Sequence, residues 1–506
     1  MRQLKKEEIT VLERQGCRAE NWERIMVAEE FAATSVHNVR FYGDVEIGRN
    51  CRLMDVKIIR GSGKQNGAVK ISVLNEGGDG NVVLCPNLTA QLAWMMIHFP
   101  SVCRLAEKEN DDGGRCIIGD GAVIEGATKI SDCIIQSSEE ISTYIGPDVI
   151  MEKSVTACGA EVTDGAKVYE SFVGEAVHLG KGFSSEASCF FANSYMDNGE
   201  ACAALCGPFS CSHHKSTLLI GGEFSFYNAG SNTNQSNHAY KMGPIHWGTL
   251  QRGAKTASGC HILWPATIGA FSMVMGKVTQ HPDLGKLPFS YIFGDTVKTY
   301  VYPGTNLKTV GTWRDINKWP TRDRRPATRP TDGSDIITYD FPNPYLLQVA
   351  REGKQVLETL RKEQGDVEEY TYQNCAIKRT ALEKGIRYYD LILALGHAEV
   401  TMCDDKRYID MLGFIVDEES VNTLATKVED GKISTLKDLQ RGIATLRTLR
   451  TPLSTGSEAY KQWVEMIKKD ARKEFNMGDV SEEQLTDFIK NMKWTTAVHL
   501  LHQQGH

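Results

Sequence analysis

Between residues 250 and 278 small and apolar side chains return on a period of six. Hexads begin at Leu250, Thr256, Ile262, Ile268 and Val274, and their fifth positions are Ala254, Cys260, Ala266, Ser272 and Val278. Successive side chains of a strand point to opposite faces, so the first and fifth positions of each hexad share one side. Three short strands, each ending in a corner that a small side chain can turn, close a triangular coil of roughly 18 residues, and stacked coils share one core. The pattern predicts a parallel β-helix with those positions facing inward.

The same phase is visible upstream. Hexads start at Ile47 (with Cys51, then Leu53), Ile118, Ile124, Ile130, Ile145 and Met151, and after a slip at Val173, Leu179, Ser185 and Phe191. Residues 1–40, with a charged helix candidate from Lys5 to Gln15, read as a cap on the open end of the β-helix, which spans 41–280. An end without one would offer unpaired backbone to other chains. The phase is lost at about 60–112, an insertion with turn-rich GSGKQNG and NEGGDGN and a helix candidate opening at Pro86 and running through Leu92, Met95, Met96 and Ile97. It weakens again at about 194–248, where loops are expected to leave the coil. Residues 281–340 are rich in Pro and turn residues yet carry Phe289, Tyr291, Phe293, Tyr300, Tyr302, Trp313 and Trp319, which predicts an ordered wrap. From Asn343 the apolar period becomes 3.6, so 341–506 is expected to be an all-α domain, with helices near 346–360, 377–395, 418–430, 436–450, 457–475 and 481–502.

Composition narrows the function classes. A chain of 506 residues with 41% hydrophobic content can bury a sizeable core, and a net charge of −7 gives no basic footprint for nucleic acid. Fourteen cysteines are too few and too scattered for a disulfide scaffold, and the Met1-Arg-Gln-Leu-Lys-Lys start shows no secretion signal, so the expected compartment is the cytoplasm. Cys51, Cys189 and Cys260 fall at fifth positions, where a small apolar side chain suits the corner. Cys202, Cys206 and Cys211 are spaced such that a thiolate metal site is conceivable. No apolar run reaches the roughly 20 residues of a membrane span.

The candidate chemistry is concentrated in residues 205–281, which hold six of the chain's 13 histidines. His213, His214, His238 and His246 are the candidate catalytic residues, because an imidazole is the natural general base near neutral pH. Around them Lys215, Ser216, Asn237, Lys241, Trp247, Arg252 and Lys255 are candidate ligand contacts. His178 and His261 take sixth positions, which point out of the coil. A dense basic run, Arg314, Lys318, Arg322, Arg324, Arg325 and Arg329, is interleaved with Trp313 and Trp319. Arg forks and Trp faces suit a phosphorylated ligand, and Arg314, Arg322, Arg324 and Arg325 join the candidate contacts. For one ligand to meet both groups, the wrap must fold back along the β-helix. The plain alternatives are solvated surface histidines and a basic loop paired with the acidic tail.

At SHHKSTLLI, NQSNHAYKMGPIHWG, RGAKTASGCHILWPATIGAFSMVMG and GTWRDINKWPTRDRR the chain resembles an uncharacterised bacterial family of hexapeptide-repeat proteins, in the superfamily of the trimeric UDP-GlcNAc acyltransferases. The resemblance covers about residues 1–330, and the helical tail looks like the partner domain found behind it; between about 40 and 150 this chain is shorter than the family's members. The resemblance implies a left-handed parallel β-helix followed by helices, and a homotrimer, with a monomer as the alternative where the inserts and helical tail cover the outer faces. It also implies transfer of an acyl group from a CoA-type thioester to a sugar, sugar nucleotide or amine, with acyl-CoA as co-substrate and His as base. Two other functions stay open: a non-catalytic sugar-nucleotide-binding scaffold, and a zinc-dependent hydratase like the β-helical carbonic anhydrases.

Overall fold

The structure, a computed structural model, describes the chain except residues 64–67, 111–113, 237–246, 296, 330–332, 397–405, 448–450, 452, 454, 476–480 and 492–506. Its centre is a parallel β-solenoid of about 14 turns with three faces. On the first face Ile25–Val27 pairs with Val45–Ile47, and the ladder runs unbroken to Thr267–Ile268. The second face runs from Val36–His37 to Cys211–Ser212, and single bridges through Asn228 carry it on to Lys255–Thr256. The third begins at Arg18–Ala19 and runs through His261–Leu263 to the end of Met273–Val278. The coil therefore already starts within residues 1–40, behind a helix α1 (Lys6–Arg14) that covers the end.

All ten first and fifth positions between Leu250 and Val278 are buried, in one continuous core with Ile47, Cys51, Leu53, Ile118, Ile124, Ile130, Ile145 and Met151. Each fully buried aliphatic side chain is worth roughly 1.5–3 kcal/mol of transfer free energy, so the stack is held mainly by this inner column. The corners are turned by more than small side chains. Lys153, Glu170, Ala187 and Ala203 all take left-handed φ of 45–51°. Such a residue costs roughly 1–2 kcal/mol. Each is held by an amide bond to the coil before it, Lys153 to the Ser131 carbonyl at 2.9 Å and Glu170 to that of Glu152 at 2.9 Å.

The phase slips because the coils are not all 18 residues long. On the first face the Cα partners run Val155, Phe172, Cys189, Leu205, steps of 17, 17 and 16 residues. As a result Cys189 and Phe191, expected inside, lie outside the solenoid in a second apolar cluster, and Phe190 takes the inner place. Residues 194–236 do not leave the coil; their strands keep ladder partners throughout, and only 237–246, outside the described residues, separate Asn234–Ser236 from Gly248–Leu250.

The insertion folds as a two-stranded ribbon (Lys70–Ile71 with Val82–Val83) and two helices, α2 (Ala90–His98), capped by Thr89 on the Leu92 amide, and α3 (Pro100–Glu109). It covers the outer side of the first face. After the last coil, Tyr291–Gly294 and Thr299–Tyr302 form a hairpin, and α4 (Val310–Arg322) turns back over the second face. Turn composition hid α4 in the sequence, since Pro320 sits in its last turn. The C-terminal region is helical: α5 (Pro344–Gln364), α6 (Arg379–Leu395), α7 (Glu418–Glu429), α8 (Leu436–Thr445), α9 (Glu458–Glu474) and α10 (Glu482–Asn491). It also holds two β-hairpins that the 3.6 periodicity did not announce, Glu369–Tyr372 with Cys375–Lys378 and Tyr408–Met411 with Phe414–Asp417. Among the described residues no helix is long and apolar enough to cross a membrane.

Candidate functional site

On the second face the inward positions are Ile145, Val162, Leu179 and Met196, so the alternate positions project outward. They form a single row of successive Cα partners: Tyr144, Glu161, His178, Tyr195, Cys211, Asn228 and Lys255. Helix α4 lies over the far end of this row, fixed by an ion pair between Lys255 and Asp315. Its C-terminal end is pinned by Asn193, which donates to Asp323 at 2.9 Å and accepts from the Arg324 amide at 2.8 Å. Row and helix enclose a groove of about 700 Å³.

The groove has an apolar floor, a cationic wall and one imidazole. The floor is Phe209 stacked on Phe226 at 5.3 Å and Trp319 edge-on to Phe226 at 4.5 Å. The cations are Lys181, Lys255, Arg314, Arg322 and Arg324, against the two carboxylates Asp197 and Asp315. Lys181 is held by Asp197 at 2.7 Å, Arg314 by Asp315 at 3.1 Å, and Arg324 by the Ala176 carbonyl. Arg322 alone of the five has no partner among the described residues. Burial lowers the pKa of Lys255, with Arg314 and Arg322 adding to it and Asp315 opposing. The groove thus concentrates positive charge that its own carboxylates do not neutralise.

His213 lines the mouth, its Nδ1 3.1 Å from Cys211 Sγ and its ring edge-on to Tyr195. Partial burial and neighbouring His214 lower its pKa, so the neutral imidazole is the form at neutral pH. Burial pushes the Cys211 thiol up to about 11, which makes the contact a thiol–imidazole hydrogen bond and not an ion pair. In the tautomer whose Nδ1–H donates to the sulfur, Nε2 is the nitrogen open to accept a proton. Below the groove a charge relay runs along the row: Glu161 to His178 Nδ1 at 3.1 Å, His178 Nε2 to Asp197 at 3.2 Å, and Asp197 to Lys181. His178 is stacked on Tyr195 at 4.3 Å.

Of the residues expected from the sequence, the structure brings His213, Lys255, Arg314, Arg322 and Arg324 together. His214 stands at the rim with its ring 4.1 Å from that of His213, while Lys215, Ser216 and Trp247 are exposed outside the groove. Two arginines are committed elsewhere. Arg252 is buried with its guanidinium on Asp410 and the carbonyls of Thr338 and Gly413, and Arg325 is buried against Asp323, Glu175 and the Asp335 carbonyl. A buried guanidinium with each of its three nitrogens on a protein oxygen is a fastener between segments, which corrects their assignment as ligand contacts. Asn237, His238, Lys241 and His246 lie outside the described residues. The sequence reading missed Lys181, Tyr195 and Asp197, whose shared row appears only when the coil lengths are known. Among the described residues no group of three or more His, Cys, Asp or Glu is placed to hold a metal ion. Cys202, Cys206 and Cys211 stand on strands of three different faces and cannot converge.

A family model described as "Domain of unknown function (DUF4954)" matches residues 1–66 and 114–361. The match is interrupted where the insertion lies and ends within α5. No curated protein matches the chain. Among solved structures, the UDP-N-acetylglucosamine acyltransferase of Francisella novicida is similar at 8% identity and a TM-score of 0.15, over 54% of this chain and 83% of that one. A likeness of that size says nothing of this chain's reaction.

Proposed function

The chain belongs to the DUF4954 family, and on that premise we propose that it is an acyltransferase-like transferase whose groove takes a phosphate-bearing ligand of the CoA or sugar-nucleotide kind. The observation that supports this reading is the convergence, in one groove, of a neutral imidazole, an unpartnered arginine and an aromatic floor. Arg322, with Arg314 and Arg324 beside it, suits a diphosphate through forked, charge-assisted bonds. Phe226 and Trp319 suit a flat base.

In this reading His213 Nε2 removes the proton of the acceptor hydroxyl or amine as that atom attacks the thioester carbonyl. The C–S bond breaks, and the imidazolium returns the proton to the departing thiolate. The protein is then cytoplasmic and acts as a trimer with parallel axes; a light-scattering mass near the 56.2 kDa of one chain would refute the trimer.

The test is calorimetric titration of the full chain with acetyl-CoA, a longer acyl-CoA and a UDP-sugar. Binding of one of them, lost in Arg322→Ala, supports the groove; no binding by any sinks the proposal. A scaffold reading is favoured by the solitary position of His213 among the described histidines of the groove. It predicts ligand binding without acyl transfer in the unaltered protein. The hydratase reading needs two more imidazoles, for which only His214 is near among the described residues. Zinc near one equivalent per chain would promote it.

A further inference from the structure

A second cavity, of about 360 Å³, opens on the first face, and neither the family match nor the groove accounts for it. The outward row of that face reads Ile117, Ile134, Val155, Phe172, Cys189 and Leu205, then changes character to Glu223, Thr249 and Thr267. The apolar part is buried beneath the insertion. The polar part lines the cavity, whose opposite wall is α5, through Tyr345, Gln348 and Glu352, and the strand Tyr408–Met411. That strand lies beyond the family match, so the cavity is completed by the C-terminal region.

Most charges lining the cavity are already used. Arg252 is on Asp410, Lys286 is 3.9 Å from Glu352, Arg407 is 3.5 Å from Glu418, and Asp283 accepts from the Gly285 amide at 3.1 Å. Two groups are not. Ser225 is 5% exposed, and its hydroxyl has no hydrogen-bond partner among the described residues. Glu223, two residues away on the same side of the strand, has no partner among the described residues. Burial, with Asp410 nearby, pushes its carboxyl up to about 7. An unmatched buried hydroxyl and a half-buried carboxyl with no cation on it both leave polar groups unsatisfied. A cationic head that also offers hydroxyls would satisfy both.

We infer that this cavity binds a small hydroxylated primary amine, its ammonium on Glu223 and its hydroxyls on Ser225, Thr249 and Thr267. The unmet acid selects the cation, the row of hydroxyl side chains selects the polyol, and the volume limits it to a single small molecule. The site is separate from the groove, although residues 223–228 pass from one to the other: Glu223 and Ser225 face this cavity, while Phe226, Tyr227 and Asn228 face the groove.

The experiment is calorimetry on the full chain with glucamine, and with sorbitol as its counterpart lacking the amine. Glucamine is expected to bind about tenfold tighter than sorbitol. Glu223→Gln should remove that difference, Ser225→Ala should weaken both several-fold, and Arg322→Ala should change neither. If neither compound binds at millimolar concentration, or if sorbitol binds as well as glucamine to the unaltered chain, the inference fails. It fails also if glucamine affinity survives Glu223→Gln in a protein with unchanged melting. Loss of glucamine binding in Arg322→Ala would relocate the amine to the groove and overturn the site.

Discussion

The two outward rows of the solenoid rest on the same backbone and do opposite things. On the first face Ile134, Val155, Phe172, Cys189 and Leu205 are covered by α2, α3 and their neighbours, and they form an apolar seam with Met95, Met96 and Leu412. On the second face Glu161, His178, Tyr195, Cys211 and Asn228 stay polar or half-open, and the element that approaches them, α4, holds off to leave a groove. The inner column is alike behind both rows, so the coil itself selects neither outcome. What selects is the side chain at alternate positions: an aliphatic row recruits a cover, whereas a row of ionisable and amphipathic groups tolerates only a partner that meets their charges. Among the described residues Lys255 and Asp315 are where α4 does so directly.

That contrast breaks most sharply at the buried aromatics. Phe172→Ala, in the seam and 5.5 Å from Phe191, should cost roughly 3–5 kcal/mol in denaturant unfolding and leave the affinity for a phosphorylated ligand unchanged. Trp319→Ala on the groove side should cost about as much in stability. It should also weaken the ligand, because Trp319 is at once the anchor of α4 on Phe226 and Phe271 and part of the floor. If both variants lost ligand equally, the two rows would not be functionally distinct.

A charge in the groove should move binding alone. Arg322→Ala is expected to weaken the bound phosphate by roughly 1.5–3 kcal/mol, the worth of one charge-assisted bond, with unfolding unaltered since the side chain has no partner among the described residues. Lys215→Ala is the matched control. Lys215 is exposed outside the groove, and its removal should leave calorimetric affinity within error. Equal losses in the two would mean that the ligand sits farther along the 213–216 turn than the groove geometry places it.

Much of this was legible in the sequence, and the parts that were not share a cause. The hexads from Leu250 to Val278 mark the inner column because two of the three faces there keep a step of 18, Thr249 to Thr267 and Lys255 to Met273. Between Val155 and Leu205 the step shortens to 17 and then 16, and one lost residue turns every following side chain to the other face. Cys189 and Phe191 were misplaced for that reason, and Tyr195 and Asp197 were not seen as groove residues. Arg314, Arg322 and Arg324 were legible as chemistry because a basic, Trp-bearing run is unusual anywhere, and Lys255 because it falls in the histidine-bearing segment. Arg252 and Arg325 looked the same in sequence, since nothing local tells a guanidinium that meets three protein oxygens from one left open. The polar end of the first row, with Glu223 and Ser225, gave no sequence signal at all, because the residues across the cavity from it, Tyr345 and Asp410, lie more than a hundred residues away.

The smallest expected effect concerns the relay beneath the groove. Burial disfavours the charged form of His178, but the hydrogen bond and charge of Glu161, with Asp197 behind, outweigh it and raise its pKa. The same hydrogen bond lowers that of Glu161 against the opposing effect of burial. A histidine whose folded pKa is raised contributes stability that is complete below the unfolded value of about 6.5 and is lost as pH climbs through the folded one. The depressed carboxylate contributes stability present above its unfolded value of about 4.3, lost as pH falls. Together they predict that unaltered protein exceeds His178→Asn most between about pH 4.5 and 6.5, with the gap closing on either side. Glu161 is about half exposed, so screening keeps that gap to about 1 kcal/mol or less. Urea unfolding at pH 4, 5.5 and 8.5 measures it. A gap that is constant across the three would mean that His178 is held only by its stacking on Tyr195, which does not depend on charge, and the second face would then differ from the first in packing partners alone.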